Sequence, residues 1–346
     1  MLALWIILGI IVIFVLLMLM ANAIQNSVFG KRCEGNPNLK YFTEEDFEGL
    51  IADSVEFPSN KGQILRGKIY RKLEKEPYSA LVILVHGMGA GHTAYTTEIN
   101  TLTDAGYLVL SYDQTGTCLS DGKKMKGLFQ GVLDLRYAID FVKKHDVLKN
   151  FPLALVGHSW GGYIVCRALA FSPDVIAVVS LSGFDDEADL FILNAKQSGL
   201  HIPFMKPFFY LCTYFKFDWI ANKKTSDTIR STKVPILLLH GDLDDTVPLS
   251  NSVAGKFFVD SPPNIKNKIY EGKYHNIYQT KESEAYMREV FGQIGVLKKK
   301  YKNKPPKEEI EKIFGGIDYS LITQEDPAVM DTIINFINDN IKDDEE

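Results

Sequence analysis

The chain has 346 residues, a formal net charge of −5 at pH 7 and 46% hydrophobic residues. This length fits one large domain with additions, or two small domains. The mild negative charge gives no reason to expect a nucleic-acid partner. Neither a disulfide framework nor a metal-binding spacing connects the four cysteines, Cys33, Cys118, Cys166 and Cys212. We therefore expect no metal and no cofactor.

The amino terminus is strongly apolar. Leu2 to Met20 contains one glycine and no charge, and it is long enough to span a bilayer. Secretory signals have a basic start and a shorter apolar core, and no basic residue precedes this stretch. Ala21-Asn22-Ala23 resembles a cleavage site, so removal of the stretch stays an alternative. We predict a retained single-pass anchor at 1–23 and a polar linker at 24–49.

The basic residues that follow this stretch favour one orientation. Only the terminal amine precedes the stretch, whereas Lys31, Arg32 and Lys40 come after it. The Lys/Arg bias close to a span sets its orientation, with the basic side in the cytoplasm. We expect the remainder of the chain to be cytoplasmic.

Strand-length runs alternate with helical patterns from about residue 50. A hairpin opens at Glu56, turns at 59–62 and returns through Ile64 to Tyr70. Residues 129–145 place their apolar side chains on one helical face. Apolar runs predict six further strands, at 81–85, 107–112, 153–156, 175–181, 234–240 and 267–270. This alternation predicts an α/β fold over 50–346, with a mostly parallel, doubly wound sheet and a leading antiparallel hairpin.

The strand at 153–156 leads into Gly157-His158-Ser159-Trp160-Gly161, and a helical pattern follows. A strand, Gly-x-Ser-x-Gly and a helix make a nucleophile elbow, in which the serine hydroxyl stands clear of the sheet. The backbone N–H of Trp160 then lies at a helix start, where it favours an anion. The motif predicts Ser159 as a nucleophile and Trp160 N–H as an oxyanion donor.

A serine nucleophile needs a base, and the base needs an acid to orient it. The fold that uses this elbow has the chain order Ser, then Asp or Glu, then His. Of the seven histidines, only His275 follows a plausible acid, so it is the predicted base. The loop after the strand at 234–240 offers three carboxylates, Asp242, Asp244 and Asp245, and its spacing alone does not choose among them.

The loop His240-Gly241-Asp242-Leu243-Asp244-Asp245-Thr246-Val247-Pro248 resembles the His-Gly-x-x-Asp-x-x-Val-Pro loop of α/β-hydrolases of the monoglyceride lipase and serine aminopeptidase type. The resemblance extends over about residues 50–295 and implies the α/β-hydrolase fold. It also implies that Asp244 is the acid, with Asp245 as the fallback.

The loop His86-Gly87-Met88-Gly89 resembles the His-Gly-x-Gly motif of the same family, which implies that Met88 N–H is the second oxyanion donor. A dinucleotide-binding loop is the competing interpretation of a glycine-rich turn after a strand. It fails because His92 stands where the third glycine of that motif would be.

One segment departs from the family pattern. The family has Asp-x-x-Gly-x-Gly-x-Ser after the next strand, and this chain has Cys118 where the second glycine would be, in a segment from Asp113 to Ser120. We expect a local change in backbone that affects the shape of the pocket and not the catalytic residues.

Two insertions interrupt the alternation of strands and helices. The first, at about 184–232, is the predicted cap, and most of its rings are expected to pack on the core while the cap walls the site with apolar surface. Its aromatic residues are Phe184, Phe191, Phe204, Phe208, Phe209, Tyr210, Tyr214, Phe215, Phe217 and Trp219. The second, at about 296–325, is rich in lysine around Pro305-Pro306. We interpret it as a solvated charged loop, with contact to an anionic membrane as the alternative. An amphipathic helix at 327–341 and an acidic tail follow.

These features together predict a membrane-anchored serine hydrolase that cleaves lipophilic acyl esters such as monoacylglycerol or lysophospholipid. Two alternatives stay open. An aminopeptidase of the same family would bind a free amine with cap carboxylates, for which Asp185, Asp186, Glu187 and Asp189 are available. A non-catalytic binding protein with this fold would typically lack one member of the triad, and none is missing here.

Overall fold

The computed structural model describes residues 1–172 and 174–341; the predicted acidic tail, 342–346, lies outside this part of the chain. Eight strands form a single sheet. They are β1 (Leu50–Pro58), β2 (Ile64–Lys72), β3 (Ala80–Val85), β4 (Tyr107–Tyr112), β5 (Leu153–His158), β6 (Ala177–Leu181), β7 (Ile236–Gly241) and β8 (Ile265–Tyr270). The predicted strands end within two residues of these bounds, except that β1 begins six residues before Glu56.

The sheet has the strand order β1-β2-β4-β3-β5-β6-β7-β8. β1 and β2 form the antiparallel hairpin, β2 pairs antiparallel with β4, and the remaining pairs are parallel. The predicted fold class is confirmed. Because the carboxyl ends of parallel strands lie at one edge of the sheet, the loops that follow β3, β5, β7 and β8 meet there.

Twelve α-helices connect and surround the strands within the described ranges. They are α1 (Leu2–Phe29), α2 (Thr96–Asp104), α3 (Leu128–Lys144), α4 (Trp160–Ala168), α5 (Glu187–Gln197), α6 (Lys206–Phe217), α7 (Thr225–Arg230), α8 (Val253–Lys256), α9 (Lys281–Lys300), α10 (Lys307–Gly315), α11 (Tyr319–Ile322) and α12 (Pro327–Asn338).

Each face of the sheet is covered by a separate apolar core. On one face α3, α4 and the cap pack against side chains such as Ile83, Leu155 and Leu238. On the other face α2 and α12 cover Val82 and Val156. All six residues of β3 and of β5 are buried, as expected for central parallel strands.

The apolar amino-terminal stretch forms α1, which is long and apolar enough to cross a bilayer, with a mean hydropathy of 3.3 over 18 residues. A signal sequence would have the same character. The helix continues to Phe29, six residues into the segment that the sequence assigned to a linker. It continues because Gln25 and Phe29, only 3% and 2% exposed, are buried against the cap.

The lysine-rich segment is helical rather than a loop, so that expectation was wrong. α9 runs to Lys300, and α10 and α11 follow it. Val290, Ile294 and Phe314 are members of a small apolar cluster that joins these helices. These apolar residues form one face of the helices. The many lysines of the segment obscured this pattern in the sequence.

Candidate active site

Ser159 occupies a strained turn between β5 and α4. Its φ of 56° and ψ of −113° are unusual for a residue with a side chain. The turn is possible because Gly157 and Gly161 approach other backbone atoms so closely that a Cβ on either would overlap them. The Ser159 N–H donates to Leu181 O at 2.8 Å, which fixes the turn against β6.

The structure brings three of the predicted residues together. Ser159 Oγ lies 2.8 Å from His275 Nε2, and His275 Nδ1 lies 2.7 Å from Asp244 Oδ2. The His275 side chain is 16% exposed, and that of Asp244 is fully buried. This is the geometry of a nucleophile, a base and an orienting acid.

Asp244 is held rigidly in its loop. Its Oδ1 accepts hydrogen bonds from the N–H groups of Thr246 at 2.9 Å and Val247 at 2.8 Å. His240 Nε2 is 3.3 Å from Oδ2 and 2.8 Å from Val247 O. Burial lowers the pKa of His240, so its ring is neutral and donates from Nε2. The second carboxylate oxygen therefore points at His275 with little freedom to turn.

The other two carboxylates of this loop have different partners. Asp245 is exposed and pairs with Arg288 at 2.8 Å. Asp242 accepts a hydrogen bond from Gly272 N–H at 2.7 Å. Neither of these contacts involves the imidazole of His275.

The two predicted oxyanion donors lie at the same edge of the sheet. Trp160 is the first residue of α4, where backbone N–H groups have no partner within the helix. Its indole ring is buried, and the ring Nε1 donates to Leu128 O at 2.9 Å. Met88 lies in the loop after β3 and is 41% exposed.

The buried ring of His158 links these loops through hydrogen bonds. This residue was not predicted from the sequence as part of the site. Gly87 N–H donates to the Tyr95 hydroxyl at 3.0 Å, and that hydroxyl lies 2.8 Å from His158 Nδ1. His158 Nε2 is 3.1 Å from His275 O. Burial lowers the His158 pKa to about 3, so the ring is neutral. It accepts from Tyr95 at Nδ1 and donates to His275 from Nε2, which ties the Gly87–Met88 loop to the His275 loop.

We expect Tyr95→Phe to lower the free energy of unfolding by about 1–3 kcal/mol, because Gly87 N–H and His158 Nδ1 would both lose their partner in a buried place. Urea unfolding measures this. Tyr112→Phe is the matched control, since the buried Tyr112 hydroxyl has no hydrogen-bond partner among the described residues. Equal losses in the two variants would contradict the role assigned to Tyr95.

We also expect acidification to destabilise the protein through His158. Its folded-state pKa lies below the ordinary value of 6.5, so the unfolded chain binds more protons between about pH 6.5 and 3. The free energy of unfolding therefore falls as the pH falls through this range. Burial raises the pKa of Glu98 and Glu325, which act in the opposite direction, so a comparison of variants is needed to isolate His158.

Urea midpoints at pH 7 and pH 5 provide this comparison. His158→Gln should lose less stability on acidification than the native chain does. His201→Gln, which replaces an exposed histidine, should behave like the native chain. The same pH dependence in His158→Gln and the native chain would contradict the prediction.

The segment that departs from the family pattern keeps a turn typical of glycine. Cys118 has a φ of 34°, and its N–H donates to Cys33 O at 2.9 Å. The Arg32 guanidinium donates to the carbonyls of Cys118, Ser120 and Gly122. Arg32 and Cys33 thus stabilise the loop in a conformation with positive φ at Cys118. A glycine, as in the family pattern, would adopt this conformation without such support.

A cavity of about 400 Å³ begins at the Gly87–Ala90 loop. Its other walls come from residues 36–42, 93–97 and 276–279 and from the region of the helices α9 and α11. Its apolar lining consists of Leu39, Phe42, Met88, Met287, Phe291 and Ile322, among others. Among the described residues, the lining includes no cap residue and neither Ser159 nor His275, so the expectation that the aromatic cap walls the site stays a prediction.

The aromatic rings of the cap mainly pack against each other, the core and α1. Phe184 stacks on Tyr163 with ring centroids 4.4 Å apart, and Phe191 stacks on Phe209 at 5.2 Å. Phe29 of α1 meets Phe191 edge to face at 5.9 Å. The contact between Phe29 and Phe191 thus packs the end of α1 against the cap.

Comparisons with known proteins agree with this fold. Residues 76–196 match the family model described as serine aminopeptidase, S33. The chain is 26% identical over 250 residues to a monoglyceride lipase homologue of monkeypox virus, covering 62% of this chain and 87% of that one. It is 24% identical over 246 residues to a monoacylglycerol lipase of Mycolicibacterium smegmatis, covering 61% and 86%.

An esterase of Pyrococcus furiosus has a similar structure, with a TM-score of 0.56 and 19% identity over 78% of this chain and 98% of that one. The chain has the α/β-hydrolase fold and resembles the monoglyceride lipases.

Proposed function

We propose that the protein cleaves lipophilic acyl esters at a membrane, with Ser159 as nucleophile, His275 as base and Asp244 as the orienting acid. The observation that carries the proposal is the chain of two hydrogen bonds, of 2.8 and 2.7 Å, from Ser159 through His275 to Asp244. The names of the similar proteins, monoglyceride and monoacylglycerol lipases, support an ester substrate.

In this mechanism Ser159 Oγ attacks the ester carbonyl while His275 Nε2 takes the hydroxyl proton. The tetrahedral intermediate carries its negative charge on the former carbonyl oxygen, which the N–H groups of Met88 and Trp160 stabilise. Asp244 stabilises the imidazolium. His275 then gives the proton to the leaving alcohol, and a water molecule repeats the sequence to release the acid.

The cavity beside Met88 supports a lipophilic substrate. Its volume of about 400 Å³ lies in the usual range for small-molecule sites, and leucine, phenylalanine and methionine side chains form much of its wall. Methionine adapts its shape to chains of different length. Medium or long acyl chains, as in monoacylglycerol or lysophospholipid, fit such a surface.

The aminopeptidase alternative receives less support, because the cap carboxylates have other partners. Asp186 and Asp189 pair with Lys206, at 3.2 and 2.5 Å. Glu187 accepts from the Tyr163 hydroxyl at 2.6 Å, and Asp185 accepts from Ser226 N–H at 2.8 Å. A substrate amine would have to compete with these contacts.

The test is a substrate panel on the full-length chain in detergent, with Ser159→Ala as the blank. We expect long-chain monoacylglycerols and lysophospholipids to be hydrolysed faster than short acyl esters, and aminoacyl amides to be the poorest substrates. Faster cleavage of the amides would favour the peptidase. If fluorophosphonate probes did not label the chain, the result would favour the non-catalytic binding protein.

We further propose that α1 stays attached as an anchor and that the catalytic domain faces the cytoplasm. The packing of α1 on the cap supports retention, since cleavage near Ala23 would remove the contact of Phe14 with Phe208 and that of Met18 O with the Cys212 thiol. We expect the protein to resist alkaline carbonate extraction and the domain to resist protease added to intact cells. Digestion without lysis, or a mature start near Gln25, would overturn this prediction.

A further inference from the structure

A wide groove lies beside the end of α1, on the side of α6. It encloses about 910 Å³, and we call it the basic groove because Lys61, Lys124, Lys126 and Lys216 line it. Tyr214 and Phe215, which are 44% and 73% exposed, form its rim. The four lysines come from three distant parts of the sequence.

These lysines have little to balance their charge. None of the four lies within 4 Å of a carboxylate oxygen among the described residues; Lys216 Nζ donates only to Gln25 Oε1, at 2.8 Å. Burial and the neighbouring Lys61 and Lys124 lower the pKa of Lys126, and burial lowers that of Lys216.

Three carboxylates lie near these lysines, and one of them, Glu187, acts on Lys216. Asp134 lies buried beneath it and accepts hydrogen bonds from Ser59, Thr115 and Gln130. Asp218 lines the groove and accepts from Trp219 N–H. Each of the three carboxylates has a partner of its own, so the four lysines leave an excess of positive charge that a bound anion would offset.

The position of α1 sets the depth of the basic groove relative to a bilayer. The apolar stretch ends at Met20, and Gln25 lies about 7.5 Å further along the helix axis at 1.5 Å per residue. Headgroup layers are roughly 5–8 Å thick on each side of the hydrocarbon. Lys216, which contacts Gln25, therefore lies at headgroup level. Phe215 lines a crevice with Met18 and Leu19 and so lies at the hydrocarbon boundary.

We propose that the basic groove binds the phosphate-bearing headgroup of an anionic phospholipid, with Tyr214 and Phe215 in the membrane interface. The inference rests on the proposed retention of α1. Lysines next to a span attract anionic lipids, and aromatic rings favour the interface. The bound lipid would hold the cap at the membrane surface.

Native mass spectrometry of the full-length chain tests this, in detergent with equimolar phosphatidylserine and phosphatidylcholine. We expect the native chain to retain phosphatidylserine preferentially. Lys61→Gln/Lys124→Gln, which replaces two exposed lysines, should reduce this preference roughly tenfold or more. The control Lys298→Gln/Lys299→Gln removes the same charge from the end of α9 and should keep the preference. Lys126→Gln is a second groove variant.

Three results would overturn the proposal: an unchanged preference in both groove variants, an equal loss in the control, or complete displacement of the lipid by millimolar inorganic phosphate. The last would assign the groove to a free anion. The readout needs no turnover, so it is separate from the proposed catalysis, which fluorophosphonate labelling reports. The mass of the intact chain shows directly whether α1 is present.

Discussion

Replacing Ser159 with alanine is expected to abolish ester turnover, with a loss in kcat of roughly 10⁶, as for the nucleophile of a comparable triad. The residue supplies the attacking oxygen, and no other hydroxyl is hydrogen-bonded to His275 Nε2 among the described residues. Fluorophosphonate labelling should disappear as well. Hydrolysis rates on a monoacylglycerol and gel-based labelling measure the two effects.

The same change should leave the fold intact. The Ser159 side chain is only partly buried, and its hydroxyl contributes the single bond to His275. Thermal unfolding of Ser159→Ala should therefore resemble that of the native chain. Ser198→Ala, the same change at an exposed position of the cap, should keep full activity. Near-native hydrolysis by folded Ser159→Ala would mean that another residue is the nucleophile.

Replacing Asp244 with asparagine is expected to lower kcat by about 10⁴, because the amide no longer holds His275 in the tautomer that accepts a proton at Nε2. The Asp244 carboxylate accepts two backbone N–H groups at Oδ1 and faces His275 at Oδ2. Asparagine has nearly the same shape, so KM should change far less than kcat. Steady-state kinetics on one ester separates the two.

Asp245→Asn and Asp242→Asn are the matched controls in the same loop. Asp245 forms an exposed pair with Arg288, and such pairs contribute about 0–1 kcal/mol. Both controls should keep kcat within a few-fold of the native value. A larger loss at Asp245 than at Asp244 would move the acid by one position.

Much of the fold could be predicted from local patterns. Buried parallel strands are short apolar runs, so β3, β4 and β5 were visible in the sequence, and the helix predicted at 129–145 is α3, Leu128–Lys144. The start of β1 was not visible, because residues 50–55 lie at the sheet edge and only Leu50 among them is buried. An edge strand lacks the continuous apolar run by which a central strand is recognised.

The order of motifs along the chain was enough to propose Ser159 and His275, but the choice of Asp244 needed the family resemblance. The distances show why. Asp244 and Asp245 are adjacent in sequence, yet one is buried against His275 and the other exposed beside Arg288. Which way each side chain points depends on the loop conformation and on an arginine 43 residues away.

His158 and Tyr95 were missed for a similar reason. His158 belongs to the elbow motif, but nothing local marks it as a link to the Gly87 and His275 loops. Its two hydrogen-bond partners, Tyr95 and His275, come from separate parts of the chain, and burial in the folded protein keeps its ring neutral.

The sequence by itself determined the sheet, the strand after which each candidate residue stands, and the apolar stretch at the amino terminus, because each depends on local periodicity and chain order. Only the tertiary structure decided where charge accumulates. The conspicuous lysines at 298–307 end one helix and begin another, and two of them face Glu309 and Glu311. The basic groove instead joins Lys61, Lys124, Lys126 and Lys216, since electrostatic interactions depend on distance in space and not on separation along the chain.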